Sequence, residues 1–347
     1  MEISTLIETL ARTHHLSLEG YEALVAAYSP ENAALSAARA DAVRREIYGT
    51  DVYIRGLIEI SSICKNDCLY CGLRRSNAHC ERYRLTQEEI CACADEGYTL
   101  GFRTFVLQGG EDPFFTDGIL CAIVRELKRR HPDCAVTLSM GERSRESYAL
   151  LREAGADRYL LRHETADAKH YAKLHPPEMS FARRIQCLRD LRDLGYQTGC
   201  GFMVGSPYQT SRTLAQDLAL IETFRPDMCG IGPFLPQKDT PFGTCPAGSA
   251  ALTCYLLSII RLIHPPVLLP ATTALGTADP TGREKGIQSG ANVVMPNLSP
   301  VQVRKKYALY DGKLSTGAES AQCLSRLRQR MQSIGYQVVT DRGDIRL

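Results

Sequence analysis

Short apolar runs alternate with longer amphipathic stretches along most of the chain after residue 50. The runs have the length of buried strands, and the stretches repeat apolar residues every three or four positions, as helices do. The predicted strands are Tyr53–Ile60, Thr104–Gln108, Ala135–Met140, Arg158–Arg162, Thr198–Val204, Met228–Ile231, Val267–Leu269 and Asn292–Met295. The predicted helices are Thr86–Leu100, Asp117–Arg130, Arg145–Ala154, Phe181–Leu194, Ser211–Phe224, Ser249–Ile263 and Gly282–Ser289. This alternation predicts an α/β fold, a parallel sheet closed into a (β/α)8 barrel, with an open doubly wound sheet as the competing topology.

Helical periodicity extends on both sides of these elements. It covers Ile3–Tyr48, with a break at Ser29-Pro30-Glu31-Asn32, and returns at Glu319–Gln337. We therefore expect an N-terminal helical extension at 1–48, a barrel at 49–310 and a C-terminal extension at 311–347. The sixth and seventh strands are the weakest predictions, because they are short and run into Pro233 and Pro270.

Polar residues and glycines follow the predicted strands at the point where each strand ends. In parallel barrels these ends meet at one face, where active sites lie. They are the cysteine segment after Ile60, Gln108-Gly109-Gly110-Glu111-Asp112-Pro113, Ser139-Met140-Gly141-Glu142, Arg162-His163-Glu164-Thr165, Met203-Val204-Gly205, Gly232-Pro233-Phe234, Ala271-Thr272-Thr273 and Pro296-Asn297. One shared site explains this distribution better than scattered turns do.

Composition narrows the class of protein. The net charge is +2 and no block of basic residues stands out, so we expect neither a nucleic-acid nor an anionic-membrane partner. We see no secretory signal, and the most apolar stretch, Leu252–Leu262, is too short to span a bilayer. Fourteen cysteines in such a chain indicate reduced thiols, and hence a cytoplasmic, reducing and anaerobic setting.

Three of these cysteines, Cys64, Cys68 and Cys71, have a Cys-x3-Cys-x2-Cys spacing directly after the first predicted strand. Thiolates bind iron–sulfur clusters, and a 4Fe–4S cluster normally takes four of them. Three ligands would leave one iron open for chemistry, as in catalytic zinc sites. The spacing resembles that of radical S-adenosylmethionine (SAM) enzymes; three incidental cysteines or part of a zinc site are the alternatives.

Two further motifs suit a polar ligand. Gly109 and Gly110 allow close approach of the backbone to a ligand, although a plain turn before Pro113 would also use them. Glu164 suits the hydroxyls of a ribose and Arg184 suits a carboxylate, whereas a salt bridge at the barrel rim would need no ligand. A lone histidine such as His163 is more often structural than catalytic.

Arg55, Thr272 and Thr273 form a candidate anion-binding trio. A charge inside the first strand needs a polar cavity or a partner, and paired hydroxyls suit a small anion. The threonines would equally well cap a helix. Tyr307 and Tyr310 lie in a segment that would either close the site or simply pack.

Longer stretches make the resemblance more specific. CKNDCLYCGLRR (64–75), LQGGEDP, DRYLLRHET, GFMVGSPYQT, CGIGPFLPQKDTPF, LPATTALGT and GANVVMPN resemble the FeFe-hydrogenase maturases of the HydE type, from about residue 45 to 313. The resemblance implies a complete barrel holding one 4Fe–4S cluster on Cys64, Cys68 and Cys71. It also implies a radical SAM enzyme that acts on a small cysteine-bound iron carbonyl-cyanide precursor supplied by a partner maturase, with an electron donor as a further partner.

The resemblance also implies roles for individual residues. On the SAM side we expect Tyr70, Gln108, Gly109, Gly110, Glu111, Ser139, Glu164, Arg184 and Met203. On the substrate side we expect Arg55, Thr272, Thr273 and Tyr310. Some family members carry a second cluster near the C-terminal end, but only Cys323 lies there in this chain, so we predict a single cluster.

Three alternatives remain open at this point. Methylornithine synthase, a radical mutase that acts on lysine, shares the barrel and the cysteine spacing. Biotin synthase would need another cluster inside the barrel, for which no clear ligand set is present. A non-catalytic iron–sulfur carrier or scaffold is the alternative from a different class.

Overall fold

A ring of parallel strands forms the centre of the computed structural model, which describes residues 2–314 and 321–346. The strands, numbered along the chain, are β1 Asp51–Ile54, β2 Gly56–Ser61, β3 Thr104–Gly109, β4 Ala135–Ser139, β5 Arg158–Leu160, β6 Gln197–Cys200, β7 Met203–Val204, β8 Met228–Cys229, β9 Gly232–Pro233, β10 Val293–Val294 and β11 Gln337–Val339. A parallel sheet runs in the order β2-β3-β4-β5-β6-β8, and a second runs β10-β1-β11.

Isolated bridges join the two sheets into a closed barrel. Leu268 bridges to Met228 of β8, and Pro270 bridges to Val293 of β10. β10 pairs with β1, which continues through Arg55 into β2. The predicted eight-stranded (β/α)8 barrel is therefore confirmed, and the open doubly wound sheet is excluded for this chain.

Helices surround the ring. They are α1 Ile3–Thr13, α2 Leu18–Ala26, α3 Pro30–Tyr48, α4 Gln87–Thr99, α5 Asp117–Arg130, α6 Arg145–Glu153, α7 Ala168–Leu174, α8 Phe181–Asp193, α9 Ser211–Phe224, α10 Ala250–Ile263, α11 Thr273–Ala278, α12 Gly282–Gln288, α13 Val301–Arg304 and α14 Leu324–Ser333. Most of the helices in the barrel begin at a Ser, Thr or Asp whose side chain accepts a backbone N–H of the first turn, as Thr86 does from Glu89. These caps fix the residue at which each of these helices begins.

The N-terminal helices pack on one side of the barrel. α2 lies against α9 and α3 lies against α10. The buried face of α10 is mostly apolar, although it includes Thr253, Ser258 and Arg261, and its apolar residues belong to the same continuous core as the strands. The extension therefore buttresses the barrel wall from outside and leaves the ends of the strands free.

Several predicted elements differ from the structure. Val267–Leu269 forms only isolated bridges, because its neighbour Pro270 has no N–H to continue a ladder. The first predicted strand is divided at Arg55 into β1 and β2. The predicted final helix, whose first two residues lie outside the described ranges, ends at Ser333 and is followed by β11, which pairs with β1. Gly335, in a left-handed conformation (φ 82°), separates this helix from the strand.

Candidate active site

The three cysteines lie on an irregular loop that leaves the end of β2. Side-chain hydrogen bonds, rather than regular secondary structure, give this loop its shape. Arg82 donates to the carbonyls of Ser62 (2.6 Å), Leu73 (2.8 Å) and Arg74 (2.7 Å). Because one guanidinium ties both ends of the loop, the loop has a defined shape without a ladder.

All three thiols face one cavity and none forms a disulfide. Burial, reinforced by the neighbouring Cys64, raises the pKa of Cys71 to about 12, and burial also raises the pKa values of Cys64 and Cys68. Thiols in such an environment ionise readily only when a metal compensates the charge. In the described residues no three Cys, His, Asp or Glu side chains converge closely enough for a single metal ion. A cluster differs, because each cysteine binds a different iron, and this donor set fits one.

Tyr70, between the second and third cysteines, is fixed by a histidine. Its hydroxyl lies 3.1 Å from His175 Nε2, and His175 Nδ1 lies 3.0 Å from the Tyr171 carbonyl. The Tyr171 ring stacks on the imidazole at 3.9 Å. Burial lowers the pKa of His175 to about 3, so the ring is neutral, with Nδ1–H donating to the carbonyl and Nε2 accepting from Tyr70.

The turn after β3 brings backbone against the cysteine loop. A Cβ on Gly110 would stand 2.2 Å from the Ile63 carbonyl oxygen, so only glycine permits this approach. The carbonyl of Glu111 accepts from Lys65 N at 2.9 Å. The Glu111 carboxylate accepts from Glu142 N at 3.0 Å and lies 3.3 Å from Lys65 Nζ. The turn and the loop therefore form one rigid wall.

Charged side chains from two neighbouring loops complete the opposite wall. Glu164 has φ 67° and a carboxylate 3.1 Å from Arg162 Nη2. The oxygen in this ion pair is Oε2, and apart from Arg162 it has no donor among the described residues. Arg184, at the start of α8, donates to Glu142 (2.5 Å) and to the Arg162 carbonyl (2.7 Å). A buried carboxylate in a single ion pair still has acceptor sites for a hydroxyl-bearing ligand.

The cavity enclosed by these groups has a volume of about 310 Å³ and opens at the C-terminal ends of the strands. Its lining includes every site residue expected from sequence except Arg55 and Thr273. Among the lining residues are Gln108, Ser139, Met203, Thr272 and Tyr310. A neighbouring cleft of about 400 Å³ shares Glu111 with the cavity but is lined by none of the three cysteines.

The expected trio of Arg55, Thr272 and Thr273 does not meet in this cavity. Thr272 caps α11, accepting from Leu275 N at 3.3 Å, and Thr273 is the first residue of that helix. Arg55 lies deeper in the barrel, with Nη1 2.9 Å from the Met228 sulfur and Nη2 3.4 Å from the Gly343 carbonyl. Its Nε has no partner among the described residues. The capping role of Thr272 was one of the two interpretations of the sequence.

The segment 307–313 forms a strap across the cavity. Tyr307, Leu309 and Tyr310 line it, and the Tyr307 hydroxyl accepts from Gln108 at 3.3 Å. The Leu309 carbonyl accepts from Gly72 N at 2.9 Å, which ties the strap to the cysteine loop. Lys313 forms a buried ion pair with Glu59 of β2. The strap therefore joins the C-terminal part of the chain to the site.

Sequence reasoning did not anticipate several contributors to this site. Met179 and His175 both lie in the loop between α7 and α8, and the Met179 sulfur accepts from the Cys68 thiol at 3.6 Å. Lys313 and Glu59 are 254 positions apart. Nothing in the local sequence marks such long-range partners; the one available signal is that Glu59 stands between Ile58 and Ile60 in an apolar strand, where a charge needs a partner.

Comparisons with known proteins agree with this geometry. The sequence profile of the radical SAM superfamily matches residues 58–221. The chain is 44% identical over 304 residues to the FeFe hydrogenase maturase subunit HydE of Thermotoga maritima, covering 88% of this chain and 86% of that protein. It is 31% identical over 300 residues to 3-methylornithine synthase of Methanosarcina barkeri, covering 86% and 82%.

Solved structures agree on the fold. The crystal structure of methylornithine synthase (PylB) superposes with a TM-score of 0.85 at 26% identity, over 96% of this chain and 97% of that one. The maturase HydG from Carboxydothermus hydrogenoformans superposes with a TM-score of 0.81 at 21% identity, over 96% and 78%, which bears on the fold alone. None of the described helices has the length and apolar character needed to cross a membrane. The superfamily implies a 4Fe–4S cluster and SAM as cofactors. This chain is a radical SAM enzyme, and it belongs to the family of the FeFe hydrogenase maturase subunit HydE.

Proposed function

We propose that this enzyme acts in the maturation of FeFe hydrogenase. Its substrate is a small cysteine-bound iron carbonyl-cyanide precursor, and its partners are the other hydrogenase maturases and an electron donor. The observation that carries the proposal is the 44% identity to the maturase HydE over 88% of the chain, against 31% to a methylornithine synthase. The cavity at the strand ends is consistent with it.

We assign one 4Fe–4S cluster to Cys64, Cys68 and Cys71. When bound and reduced, this cluster supplies the electron that cleaves SAM and gives the 5′-deoxyadenosyl radical. The chain contributes orientation and exclusion of water. Tyr70 closes the cavity beside the last ligand, and the strap with Tyr307, Leu309 and Tyr310 covers it from the other side.

We assign the SAM side to groups that the cavity already holds. Glu164, whose carboxylate pairs with Arg162 and keeps further acceptor sites, suits the ribose hydroxyls. Arg184 lies against the same cavity, and its guanidinium suits a carboxylate. The backbone of Gly109 and Gly110, with Gln108, Glu111, Ser139 and Met203 around it, forms the rest of this wall.

We assign the far side of the barrel interior to the anionic part of the precursor. Arg55 is buried, and burial lowers its pKa; its contacts are a sulfur and a distant carbonyl. A buried guanidinium without an anionic contact is unfavourable, and a bound anion would offset that cost. Thr272 and Tyr310 belong to the nearer wall of the cavity.

A second candidate function is a radical mutase that acts on lysine. The superposition on methylornithine synthase over nearly the whole of both chains favours it. A non-catalytic carrier of iron–sulfur species is a third, and cleavage of SAM by the reduced protein would exclude it.

The test is a reconstituted maturation mixture that lacks only this component. Adding the cluster-loaded chain should restore hydrogenase activity, and Cys68→Ala should not. Cys121→Ala, which removes a buried thiol of α5 that does not line the cavity, is the matched control and should restore it. A cluster-loaded wild-type chain that cleaves SAM but restores no hydrogenase activity would contradict the proposal.

A further inference from the structure

Behind Glu164 lies a buried histidine–aspartate pair that the proposed function does not use. His163 and Asp217 both have fully buried side chains, and His163 Nε2 lies 3.2 Å from Asp217 Oδ1. The same carboxylate oxygen accepts from Ala166 N at 2.6 Å. Asp217, which belongs to α9, therefore holds the chain on both sides of residue 164.

The hydrogen-bond network assigns the proton of the imidazole. Gly201 N donates to His163 Nδ1 at 3.2 Å, so Nδ1 is the acceptor and Nε2–H donates to Asp217. Glu164 N in turn donates to the Gly201 carbonyl at 3.0 Å. A Cβ at Gly201 would stand 2.1 Å from the Gly230 oxygen, so this junction requires glycine. Residues 163 and 164 are thus both hydrogen-bonded to Gly201, which lies between β6 and β7.

These ties enclose a strained residue. Glu164 has φ 67°, a left-handed conformation that is unfavourable for a side chain with a Cβ. Such conformations persist where the surroundings impose them, and they concentrate at ligand sites. This residue lines the cavity, and its carboxylate pairs with Arg162 Nη2 at 3.1 Å and keeps acceptor sites for a ligand. The direction of the carboxylate also depends on the backbone that His163 and Asp217 hold.

We propose that His163 and Asp217 are positioning residues that impose the left-handed conformation of Glu164 and so direct its carboxylate at the hydroxyls of the bound nucleoside. The inference rests on the proposed SAM contact of Glu164. If the pair were purely structural, removing it would destabilise the barrel, but it would not lower the affinity for SAM through Glu164.

The choice of variants follows from the proton assignment. Asp217→Leu removes the oxygen on which the two donors converge, so it disrupts the pair. His163→Leu removes both bonds. His163→Gln retains an acceptor for Gly201 and a donor for Asp217, and is the conservative variant. Asp227→Leu is the matched control, since Asp227 accepts from Thr198 N at 2.7 Å at the start of β6.

The experiment measures the dissociation constant of SAM for the cluster-loaded enzyme, with iron content and the electron paramagnetic resonance spectrum of the reduced cluster with and without SAM. We expect Asp217→Leu and His163→Leu to bind SAM about tenfold more weakly with unchanged iron content. His163→Gln and Asp227→Leu should stay within about twofold of wild type. If Asp217→Leu does not yield cluster-loaded protein, the comparison of His163→Leu with His163→Gln decides.

A double-mutant cycle separates this inference from the proposed function. Glu164→Ala should weaken SAM binding, and adding Asp217→Leu to it should weaken binding no further. If Glu164→Ala binds SAM as wild type does, the proposed contact is wrong. If Glu164→Ala weakens binding but the pair variants do not, or if the two effects add in full, the positioning role is overturned.

Discussion

Among single residues, the glycines and aromatic groups next to the cysteine loop show how closely this site is fitted. Gly110 has no room for a methyl group, with the Ile63 oxygen and Cys64 Cβ at 2.2 and 2.8 Å from a Cβ position. The Tyr70 hydroxyl donates a hydrogen bond to His175, and His175 can accept it because burial keeps the imidazole neutral. Each residue is fixed by a neighbour outside its own motif.

Gly110→Ala should displace the cysteine loop. The added methyl group would overlap backbone that cannot move independently, and overpacking of this kind costs about 1–3 kcal/mol. We expect a several-fold loss of iron retained after reconstitution and desalting. Gly49→Ala is the matched control, because a Cβ there meets nothing within 4 Å, although its left-handed φ of 58° adds local strain. Full iron retention by Gly110→Ala would contradict the fit described for this turn.

His175 should make the stability of the protein dependent on pH. Its pKa falls from 6.5 to about 3 on folding, so the unfolded chain binds a proton first and stability is lost as pH falls below about 6.5. Between pH 8 and pH 5.5 the loss amounts to about 1.4 kcal/mol. Chemical unfolding of wild type and His175→Gln at both pH values measures it.

The glutamine variant should lose less stability than wild type over this interval by about that amount. The same change at the exposed His79 is the control and should leave the wild-type dependence in place. Equal losses in wild type and His175→Gln would show that the imidazole is not held neutral.

At the scale of elements, the strap at 307–313 is the piece that completes the cavity. Gly72 N donates to it from the cysteine loop, Asp311 accepts from Lys238 N at 2.9 Å, and Lys313 reaches Glu59 inside the barrel wall. Glu59 is fully buried and also accepts from Asn297 at 3.0 Å. The buried ion pair between Glu59 and Lys313 therefore attaches the strap to the barrel wall.

Lys313→Met should be strongly destabilising, because it leaves Glu59 buried without its cation. Loss of one partner of a buried pair lowers the free energy of unfolding by about 3–5 kcal/mol. Adding Glu59→Gln removes the stranded charge and should recover most of that loss. Lys305→Met, an exposed lysine just before the strap, is the control. Denaturant unfolding that shows no recovery in the double variant would contradict the ion pair.

At the scale of the whole molecule, the barrel is closed at both ends by parts of the C-terminal region. The strap covers the C-terminal ends of the strands, and residues 342–344 cross the N-terminal ends. There the Arg342 carbonyl accepts from Thr104 (2.7 Å) and Arg158 (2.9 Å), and Asp344 pairs with Arg158 at 2.5 Å. Although burial opposes it, Arg158 and Arg342 hold the pKa of Asp344 below its ordinary value.

Asp344→Ala should destabilise this closure and spare the SAM side of the site. Arg158 is fully buried and would lose its carboxylate partner, but Asp344 is 40% exposed. The loss in the free energy of unfolding should therefore be about 1–3 kcal/mol, less than for a fully buried pair. The affinity for SAM should be unchanged, since the cavity lies at the other end. A large loss of SAM affinity at full stability would contradict this division of the two ends.

The sequence was sufficient to predict the barrel and the three cysteines, but it was insufficient to predict the side-chain contacts that surround and orient them. Ligands to a cluster are local in sequence, as Cys64, Cys68 and Cys71 are, and the end of a strand is visible in its pattern. Met179, His175 and Lys313 act across long sequence separations, so their roles depend on the closed barrel. Arg55 shows the same limit, because its position in the first strand indicated burial but not the depth at which it lies.

The substrate separates the proposed maturase from the mutases, and we expect it to be an organometallic precursor. An anaerobic assay decides this: the cluster-loaded protein is reduced, SAM is added, and 5′-deoxyadenosine and adenosylated products are quantified with each candidate substrate. The candidates are the cysteine-bound iron carbonyl-cyanide precursor, lysine and dethiobiotin. We predict turnover driven by the precursor alone. Turnover driven by lysine would assign the chain to the mutases, and an intact cluster without any SAM cleavage would contradict the account.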